Sequence, residues 1–294
     1  MKGQFGGLIT AMVTPFDADG RLELGAAQKI AAWLLDNGSE GLVVTGTTGE
    51  GPTLTDQEKT GLWRAVVEAV GDRGSVIAGS GTNDTAHSIH LTREAEKAGC
   101  DAALVVTPYY NQPPQSGLVA HFRAVAGATG LPILVYDIPV RTGRKIDHAT
   151  LLTLAETPNI AGVKDAAGDV QGAARLVAEA PVGFEVYCGN DADTLPWLSV
   201  GAVGVISVAS HIAGPKMAEM LHAYWAGEPD KARRLNAELI GVYDAMAVTA
   251  NPIPVKAAVE LAGHPAGPPR LPLPEATPDE VAAIREALRS AGLV

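Results

Sequence analysis

Short apolar segments alternate with helix-like segments along most of the chain. Eight apolar segments are predicted strands, and they are spaced by roughly 20 to 35 residues, as in repeated βα units. They cover residues 8–13, 41–45, 76–78, 102–106, 133–135, 159–164, 184–187 and 203–206. This alternation predicts a (β/α)8 TIM barrel. An open doubly wound sheet is the alternative, but no GxGxxG motif follows the first strand.

The strand pattern stops near residue 227, and helical patterns replace it. Helices are predicted over residues 231–246, 254–261 and 278–288. The last of these follows Thr277-Pro278-Asp279-Glu280, a capping box with proline at the first helical position. We therefore expect a barrel over residues 1–226 and a C-terminal helical appendage over 227–294.

Acidic residues outnumber basic ones by 33 to 22, which gives a formal net charge of −11. Nucleic-acid binding needs a basic face, so this balance argues against that class of protein. Cys100 and Cys188 lie in separate units, and no Cys-x-x-Cys or Cys/His ligand spacing occurs. We expect no disulfide framework, no metal site and a cytoplasmic location. No stretch approaches about 18 uninterrupted apolar residues, so no membrane span is expected.

A lysine ends the sixth predicted strand. In parallel α/β proteins chemistry takes place at the carboxyl ends of the strands, where Lys164 would lie. Apolar surroundings lower the pKa of a lysine, and the neutral amine can attack a carbonyl to form a Schiff base. The alternative is a structural lysine whose amine reaches water. Lys216 and Lys256 are rival amines, but neither ends an apolar strand.

Other polar side chains follow the strands at the same end of the predicted barrel. Thr47 and Thr48 lie in a glycine-flanked turn, whose hydroxyls and amides suit a carboxylate. Tyr136 follows the fifth strand and is a candidate general acid. Arg141, in the loop beyond it, is a candidate partner for a substrate carboxylate. A solvated turn, a core tyrosine and a surface arginine are the alternatives.

Two loop features complete the set of candidates. Tyr109 and Tyr110 lie in a proline-flanked loop, and adjacent loop aromatics are typical of surfaces that pack against a partner chain. Asn190 and Asp191 follow the seventh strand and are candidates for substrate binding, although capping of the next helix is the preferred interpretation of Asp191. The histidines form no HxxxH or HExxH pattern, so we assign them to the surface or to packing.

Motifs in consistent order along the chain are shared with one enzyme family. They are Gly46-Thr47-Thr48-Gly49-Glu50, Tyr136-Asp137-Ile138-Pro139-Val140-Arg141-Thr142-Gly143, Gly162-Val163-Lys164-Asp165, Gly204-Val205-Ile206-Ser207-Val208 and, in the tail, Asn251-Pro252-Ile253-Pro254-Val255-Lys256. Through them essentially the whole chain resembles the pyruvate-dependent class I aldolases, the family of dihydrodipicolinate synthase and N-acetylneuraminate lyase. The resemblance implies a (β/α)8 barrel with a C-terminal helical domain, a lyase activity, and no organic cofactor or metal.

The resemblance also implies catalytic roles. Lys164 would form an imine with pyruvate, Tyr136 would shuttle protons, and Thr47 would relay them. Tyr110 would complete the relay from a neighbouring subunit. A dimer would then be the smallest active unit, and a homotetramer is the expected assembly.

Substrate binding is implied at four further positions. Thr48 and the main chain of Ile206 would hold pyruvate, and Gly189 would line the same site. Arg141 would bind the carboxylate of the second substrate, an aldehyde. Pyruvate and an aldehyde acceptor are therefore the expected small-molecule partners.

Three features favour condensation of pyruvate with L-aspartate 4-semialdehyde, in lysine and diaminopimelate synthesis. They are Thr47-Thr48, Ala166 and Ala192, where sialic acid lyases tend to carry Ser-Thr, threonine and glutamate. Gly51 and Asn190 depart from the usual serine and aspartate of the synthases, which leaves open an aldolase or dehydratase of a 2-keto-3-deoxy sugar acid. A non-catalytic keto-acid-binding protein is the alternative from another class, although such a protein needs no proton relay.

Three positions bear on regulation. Lysine-inhibited enzymes of the enteric type carry His, His and Glu where this chain has Asp56, Lys59 and His87. Feedback inhibition by lysine is therefore not expected.

Overall fold

The computed structural model describes residues 2–293 and contains a closed barrel of eight parallel strands. The strands pair in sequence order, and β8 pairs with β1 to close the barrel. Their bounds are β1 Leu8–Ala11, β2 Gly41–Val44, β3 Ser75–Gly79, β4 Ala102–Val106, β5 Ile133–Asp137, β6 Ile160–Asp165, β7 Glu185–Cys188 and β8 Gly204–Ser207. The (β/α)8 prediction is confirmed, and no strand end differs from its predicted position by more than two residues.

The strand register sets which side chains face the barrel interior. In the pair of β5 and β6, Tyr136 lies opposite Lys164 and Asp137 lies opposite Asp165. Because side chains alternate along a strand, Tyr136 and Lys164 share one face and the aspartates share the other. Tyr136 belongs to the hydrophobic cluster inside the barrel. Lys164 therefore points inward with Tyr136, whereas Asp137 and Asp165 point toward the surrounding helices.

Helices surround the barrel and continue beyond its last strand. Their bounds are α1 Leu24–Asp36, α2 Asp56–Val70, α3 Thr85–Lys97, α4 Gln115–Ala126, α5 Pro139–Thr142, α6 His148–Ala155, α7 Val170–Glu179, α8 Thr194–Ser199, α9 Ser210–Trp225, α10 Pro229–Ala245, α11 Ile253–Leu261 and α12 Pro278–Ser290. Within residues 2–293, no helix combines the length and the apolar character needed to cross a membrane.

Two helices begin with a capping box, and the one predicted at Thr277 is confirmed. The hydroxyls of Thr55 and Thr277 accept hydrogen bonds from the backbone N–H groups of Glu58 and Glu280. Each glutamate side chain accepts a bond from the N–H of its capping threonine in return. These reciprocal bonds satisfy N–H groups that have no partner within the first turn of a helix.

Some helix assignments from the sequence are wrong. The sequence also suggests Ser116 as the cap of the fourth helix, but α4 already begins at Gln115. Arg141 lies in the short helix α5 rather than in a loop. The sequence pattern also missed α8 and α9. Helices as short as α5 and α8 span too few turns to show a helical period, and α9 contains Pro215, which disfavours a helix interior.

The C-terminal helices pack against the end of the barrel. α10 lies along α9, and α12 contacts both α10 and α11. α10 begins at Pro229, close to the point where the strand pattern stops. The division into a barrel over residues 1–226 and an appendage over 227–294 stays a prediction.

A buried ion pair joins the C-terminal helices to the barrel. The Lys256 ammonium, on α11, donates to Glu50 Oε1 at 2.9 Å, to the Thr14 carbonyl at 3.0 Å and to the Pro268 carbonyl at 2.9 Å. The second carboxylate oxygen of Glu50 accepts the backbone N–H of Arg270 at 2.7 Å. Both side chains of the ion pair are at most 2% exposed. All three ammonium protons have acceptors, which offsets the desolvation of the buried charges.

Replacing Lys256 with methionine should destabilise the protein strongly. The variant leaves the Glu50 carboxylate buried without its counter-charge, and such losses cost about 3–5 kcal/mol. Lys216→Met is the matched control, because Lys216 pairs with Glu238 at a partly exposed position and should cost less than about 1 kcal/mol. Urea unfolding of the two variants measures the difference. Equal losses would contradict a dominant role for the buried pair.

Asp137 and Asp165 form a second buried acidic feature, on the outer face of the barrel. Burial, followed by the charge of Asp165, raises the pKa of Asp137 to about 7. Burial also raises the pKa of Asp165 to about 6, although the backbone N–H of Ala167 and the charge of Lys145 oppose the shift. In an unfolded chain both groups titrate near about 3.9. The folded protein therefore binds more protons than the unfolded chain between about pH 4 and pH 7, and its stability falls as the pH rises through that window.

Asp137→Asn should remove part of this pH dependence. Its amide oxygen can still accept the N–H of Ile146, as the carboxylate does at 3.3 Å. The free energy of unfolding of the variant, relative to the unchanged protein, should rise by about 3 kcal/mol between pH 4.5 and pH 8. Asp147→Asn, at an exposed neighbouring position, is the control and should show no such trend. Parallel pH profiles for Asp137→Asn and the unchanged protein would refute this account.

Candidate active site

The inward-facing lysine lies beside an aromatic ring. Lys164 is 5% exposed, and its Nζ atom is 4.5 Å from the centroid of the Tyr136 ring. β6 extends one residue further than predicted, to Asp165, so Lys164 is the penultimate residue of the strand. The amine therefore lies at the carboxyl end of the barrel, against the ring of a tyrosine on the adjacent strand.

A cavity of about 380 Å³ opens at this end of the barrel. The residues that line it include Thr47, Tyr110, Tyr136 and Arg141. Four of the predicted site residues, from separate parts of the chain, thus meet at one cavity. Its volume is sufficient for small organic acids.

The turn that contains Thr47 is shaped by close backbone contacts. Thr45, just before it, has a left-handed φ of 64°. The Thr45 hydroxyl accepts a bond from Trp63 Nε1 at 2.9 Å and donates to the Gly79 carbonyl at 3.0 Å. A Cβ atom on Gly51 would lie 2.2 Å from the Thr45 carbonyl oxygen, so only glycine fits this conformation. Gly51 therefore has a backbone role here, rather than one in the choice of substrate.

A residue from the C-terminal part of the chain reaches this site. The Asn251 side-chain amide donates to the Thr48 hydroxyl at 3.0 Å, and the Asn251 main-chain carbonyl oxygen accepts a bond from Arg141 Nη2 at 3.3 Å. Asn251 therefore links two of the predicted substrate-binding residues. Asn251 belongs to a motif of the tail, but nothing in its local sequence pattern indicates a contact with the barrel.

Asp191 holds the turn that follows β8. Its Oδ2 atom accepts the backbone N–H groups of Val208 at 3.1 Å and Ala209 at 2.8 Å. The predicted cap on the next helix, α8, is wrong: these bonds go to the start of α9 instead. Burial raises the pKa of Asp191, and hydrogen bonds and the charge of Lys164 act against this shift. The carboxylate thus fixes the turn that begins two residues after Ile206.

Gly189 and Asn190 both have local structural partners. The Gly189 N–H donates to the Asp165 carbonyl at 2.7 Å, and a Cβ on Gly189 would lie 2.7 Å from the Cβ of Ala166. The Asn190 amide donates to Asp193 Oδ2 at 3.1 Å. The Asn190 side chain therefore makes its hydrogen bond within its own turn, which follows the closely packed ends of β6 and β7.

The two loop tyrosines differ in environment. Tyr110 is 90% exposed and has a left-handed φ of 69°. Tyr109 is half-buried, and burial raises its pKa above the ordinary value. Both rings border the cavity. A strained, exposed aromatic residue at the rim of a cavity is suited to contact with another chain.

Within residues 2–293, no group of three or more His, Cys, Asp or Glu side chains is arranged to hold a metal ion. Cys100 and Cys188 are both buried, unpaired thiols. Burial raises the pKa of Cys100 to about 12, which makes that thiol a poor nucleophile. The polar side chains on the cavity lining are threonine and tyrosine hydroxyls, Lys59 and Arg141. Lys164 is not on the lining, but its amine lies against the ring of Tyr136, which is.

Comparisons with known proteins agree with this geometry. The model of the Dihydrodipicolinate synthetase family matches residues 4–291. A 4-hydroxy-tetrahydrodipicolinate synthase from Moorella thermoacetica is 54% identical over 291 residues, which cover 99% of this chain and 100% of that protein.

Solved structures show the same relationship. A dihydrodipicolinate synthase from Bacillus anthracis has a TM-score of 0.96 and 43% identity, with 98% of this chain and 99% of that chain covered. A monomeric dihydrodipicolinate synthase variant has a TM-score of 0.95 and 39% identity, with 98% and 97% covered. The family expected from the motifs is confirmed: this chain belongs to the dihydrodipicolinate synthetase family.

Proposed function

We propose that this chain is a lyase that condenses pyruvate with L-aspartate 4-semialdehyde to 4-hydroxy-tetrahydrodipicolinate, through an imine on Lys164. The observation that carries the proposal is the buried Lys164 amine, 4.5 Å from the ring of Tyr136 at the carboxyl end of the barrel. Relatives that are about half identical over nearly the whole chain bear the name 4-hydroxy-tetrahydrodipicolinate synthase. The product serves lysine and diaminopimelate synthesis.

The reaction begins on the lysine. The neutral Lys164 amine attacks C2 of pyruvate, and the carbonyl oxygen leaves as water, which forms the imine. Loss of a proton from the methyl carbon gives an enamine. Tyr136, adjacent to the amine, donates and accepts the protons, and Thr47 relays them to the cavity.

Carbon–carbon bond formation and ring closure follow. The enamine carbon attacks the aldehyde carbon of the semialdehyde, and the aldehyde oxygen takes a proton to become the hydroxyl of the product. The substrate amino group then attacks the imine carbon and displaces the Lys164 nitrogen. The lysine returns as a free amine, so atoms and protons balance over one cycle.

Substrate binding uses residues at the same end of the barrel, of which Arg141 lines the cavity. The hydroxyl of Thr48, with the main chain at Gly189 and Ile206, holds pyruvate next to the lysine. The Arg141 guanidinium pairs with the carboxylate of the semialdehyde. Asn251 supports this arrangement, because it hydrogen-bonds both Thr48 and Arg141.

The active assembly is a homotetramer built from dimers, in which Tyr110 completes the proton relay of the neighbouring subunit. The exposure of Tyr110 at the cavity rim supports this arrangement. One solved relative is described as a monomeric variant, so family membership alone leaves the assembly open. The site of action is the cytoplasm, which fits two cysteines that are not paired.

The alternative activity on 2-keto-3-deoxy sugar acids has no specific support. It rested on Gly51 and Asn190, and both have structural explanations. Gly51 allows the close approach of the Thr45 carbonyl, and Asn190 bonds to Asp193. A protein that only binds keto acids would not need the buried Lys164 amine beside Tyr136.

Borohydride reduction in the presence of pyruvate should attach one pyruvyl group to the chain, at Lys164. Intact mass and peptide mapping locate the adduct. Lys164→Arg should abolish it, because a guanidinium does not form the imine, whereas Lys29→Arg, at an exposed position on α1, should leave it unchanged. No adduct on the folded protein, or an adduct elsewhere, would eliminate the mechanism. Parallel assays with aspartate semialdehyde and a sugar-derived aldehyde then identify the acceptor.

Mixing two inactive variants tests whether Tyr110 acts on a neighbouring subunit. Tyr110→Phe and Tyr136→Phe should each lower kcat by about a hundredfold or more. In a mixed dimer the Tyr110→Phe chain keeps its own Tyr136 and receives Tyr110 from its partner, so one site is intact. Equal mixing after subunit exchange should restore roughly a quarter of the activity. Tyr110 acting within its own chain would give no recovery.

A further inference from the structure

Two buried polar atoms between the end of β7 and α10 have no hydrogen-bond partner within residues 2–293. They are the Oδ1 atom of Asp191 and the hydroxyl of Tyr243. Asp191 begins the helical turn Asp191–Asp193, and α10, which carries Tyr243, packs against that turn. Buried polar groups are ordinarily hydrogen-bonded, so two unpartnered atoms in neighbouring elements need an explanation.

The Asp191 side chain lies on the rim of the barrel near Lys164. Its Oδ2 atom accepts the two backbone N–H groups beyond β8 that were described above. The turn before it lies over the end of β6, because the Gly189 N–H donates to the Asp165 carbonyl at 2.7 Å. Burial raises the pKa of Asp191, and the charge of Lys164 is among the influences that oppose this shift. One carboxylate oxygen is thus fixed, and the other is free to interact with a nearby charge.

Lys164 has no acid paired with it. Within residues 2–293 its ammonium forms no hydrogen bond and no ion pair, and the ring of Tyr136 lies beside it. Tyr187, opposite Lys164 on β7, donates to Glu185 toward the amino end of that strand. Other acids near this end of the barrel are directed elsewhere: Asp137 and Asp165 toward the surrounding helices, Glu50 toward Lys256, and Asp193 toward Asn190. Asp191 is therefore the acid placed to balance a positive charge on the lysine nitrogen.

The remaining groups around Asp191 are neutral. Ser207, at the end of β8, is a hydroxyl donor to the carboxylate. Burial raises the pKa of the Cys188 thiol and of the Tyr243 hydroxyl, so both keep their protons at neutral pH. Burial lowers the pKa of His211, on α9, to about 4, so its ring carries no charge there. The charge of Lys164 therefore has no competitor among these groups.

We propose that Asp191 is the counter-ion of the Lys164 imine and that the Tyr243 hydroxyl stabilises the charge of this carboxylate. The inference rests on the imine mechanism proposed above. Asp191 acts through the charge on the Lys164 nitrogen, and it is therefore a positioning residue for the reaction.

The counter-ion favours the form of the imine that reacts. Once water has left, the imine nitrogen carries a proton and a positive charge. When the methyl carbon gives its proton to Tyr136, the electron pair of the C–H bond moves toward this nitrogen and neutralises it, which gives the enamine. A neutral imine withdraws that electron pair much less. A nearby carboxylate favours the protonated imine, and a buried setting strengthens the attraction.

Borohydride trapping with pyruvate across a range of pH measures this effect. Trapping needs a neutral amine for attack and a protonated imine for reduction, so its rate rises and then falls with pH. Asp191→Asn removes the charge, while its amide oxygen can still accept the N–H groups of Val208 and Ala209. Because a nearby anion favours the protonated form of a cation, both limbs of the profile should move to lower pH by about one pH unit.

Two further variants complete the test. Tyr243→Phe keeps the carboxylate but removes the hydroxyl that stabilises it, so both limbs should move in the same direction by a smaller amount. Asp244→Asn, at an exposed neighbouring position on α10, is the matched control and should leave both limbs in place, because solvent and salt screen an exposed charge.

A structural role for Asp191 would lower the trapping rate at every pH without moving the limbs, and that result would overturn the proposal. If Asp191→Asn does not fold, Tyr243→Phe decides the question, and limbs at unchanged pH in that variant would refute the counter-ion. No adduct on the unchanged protein would remove the imine mechanism together with this inference. A normal adduct at Lys164 with fixed limbs in both variants would remove the inference alone.

Discussion

The buried ion pair between Glu50 and Lys256 connects the parts of this protein that act together. Glu50 ends the turn that carries Thr47 and Thr48, and Lys256 lies 206 residues further along the chain. The same ammonium binds the Thr14 carbonyl, beyond the end of β1. The turn is polar and glycine-rich, so it has little apolar surface with which to hold its own shape. The geometry of the turn depends instead on the Lys256 ammonium, which the C-terminal helices supply. Because burial removes water from this ammonium and from the Glu50 carboxylate, both groups need hydrogen-bond partners within the protein.

Three buried lysines show that burial alone does not define function. Lys256 has three oxygen acceptors and serves the structure. Lys164 lies over the face of an aromatic ring, where a carbonyl substrate can approach it. Lys59 lines the cavity at the mouth of the barrel, and its ammonium makes no hydrogen bond within residues 2–293. A buried lysine can therefore serve the fold, as Lys256 does, or be placed for chemistry, as Lys164 is, according to the groups that surround its amine.

Strands and strand-end residues were predictable to a large extent. An apolar segment bounded by turn residues has few alternatives, so every strand appears within two residues of its predicted ends. Parallel strands end at one face, so the sequence pattern alone predicts that Lys164, Tyr136 and Thr47 lie at the same end of the barrel. Short helices were less predictable, because α5 and α8 contain little periodic pattern. The hydrogen bonds from the start of α9 to Asp191 were not predicted. An aspartate in a turn ordinarily caps the helix that follows it, which here is α8.

By itself the sequence determined the barrel, the position of the reactive lysine and the family, because these depend on periodicity and on motifs that are local in the chain. Only the tertiary structure decided which long side chains meet. Asn251 reaches Thr48 across 203 residues, Lys256 reaches Glu50, and Lys59 comes to share a cavity with Arg141. Such contacts depend on how loops and helices orient over the mouth of the barrel. No periodic pattern encodes that orientation, because it results from packing between segments that are distant in the chain.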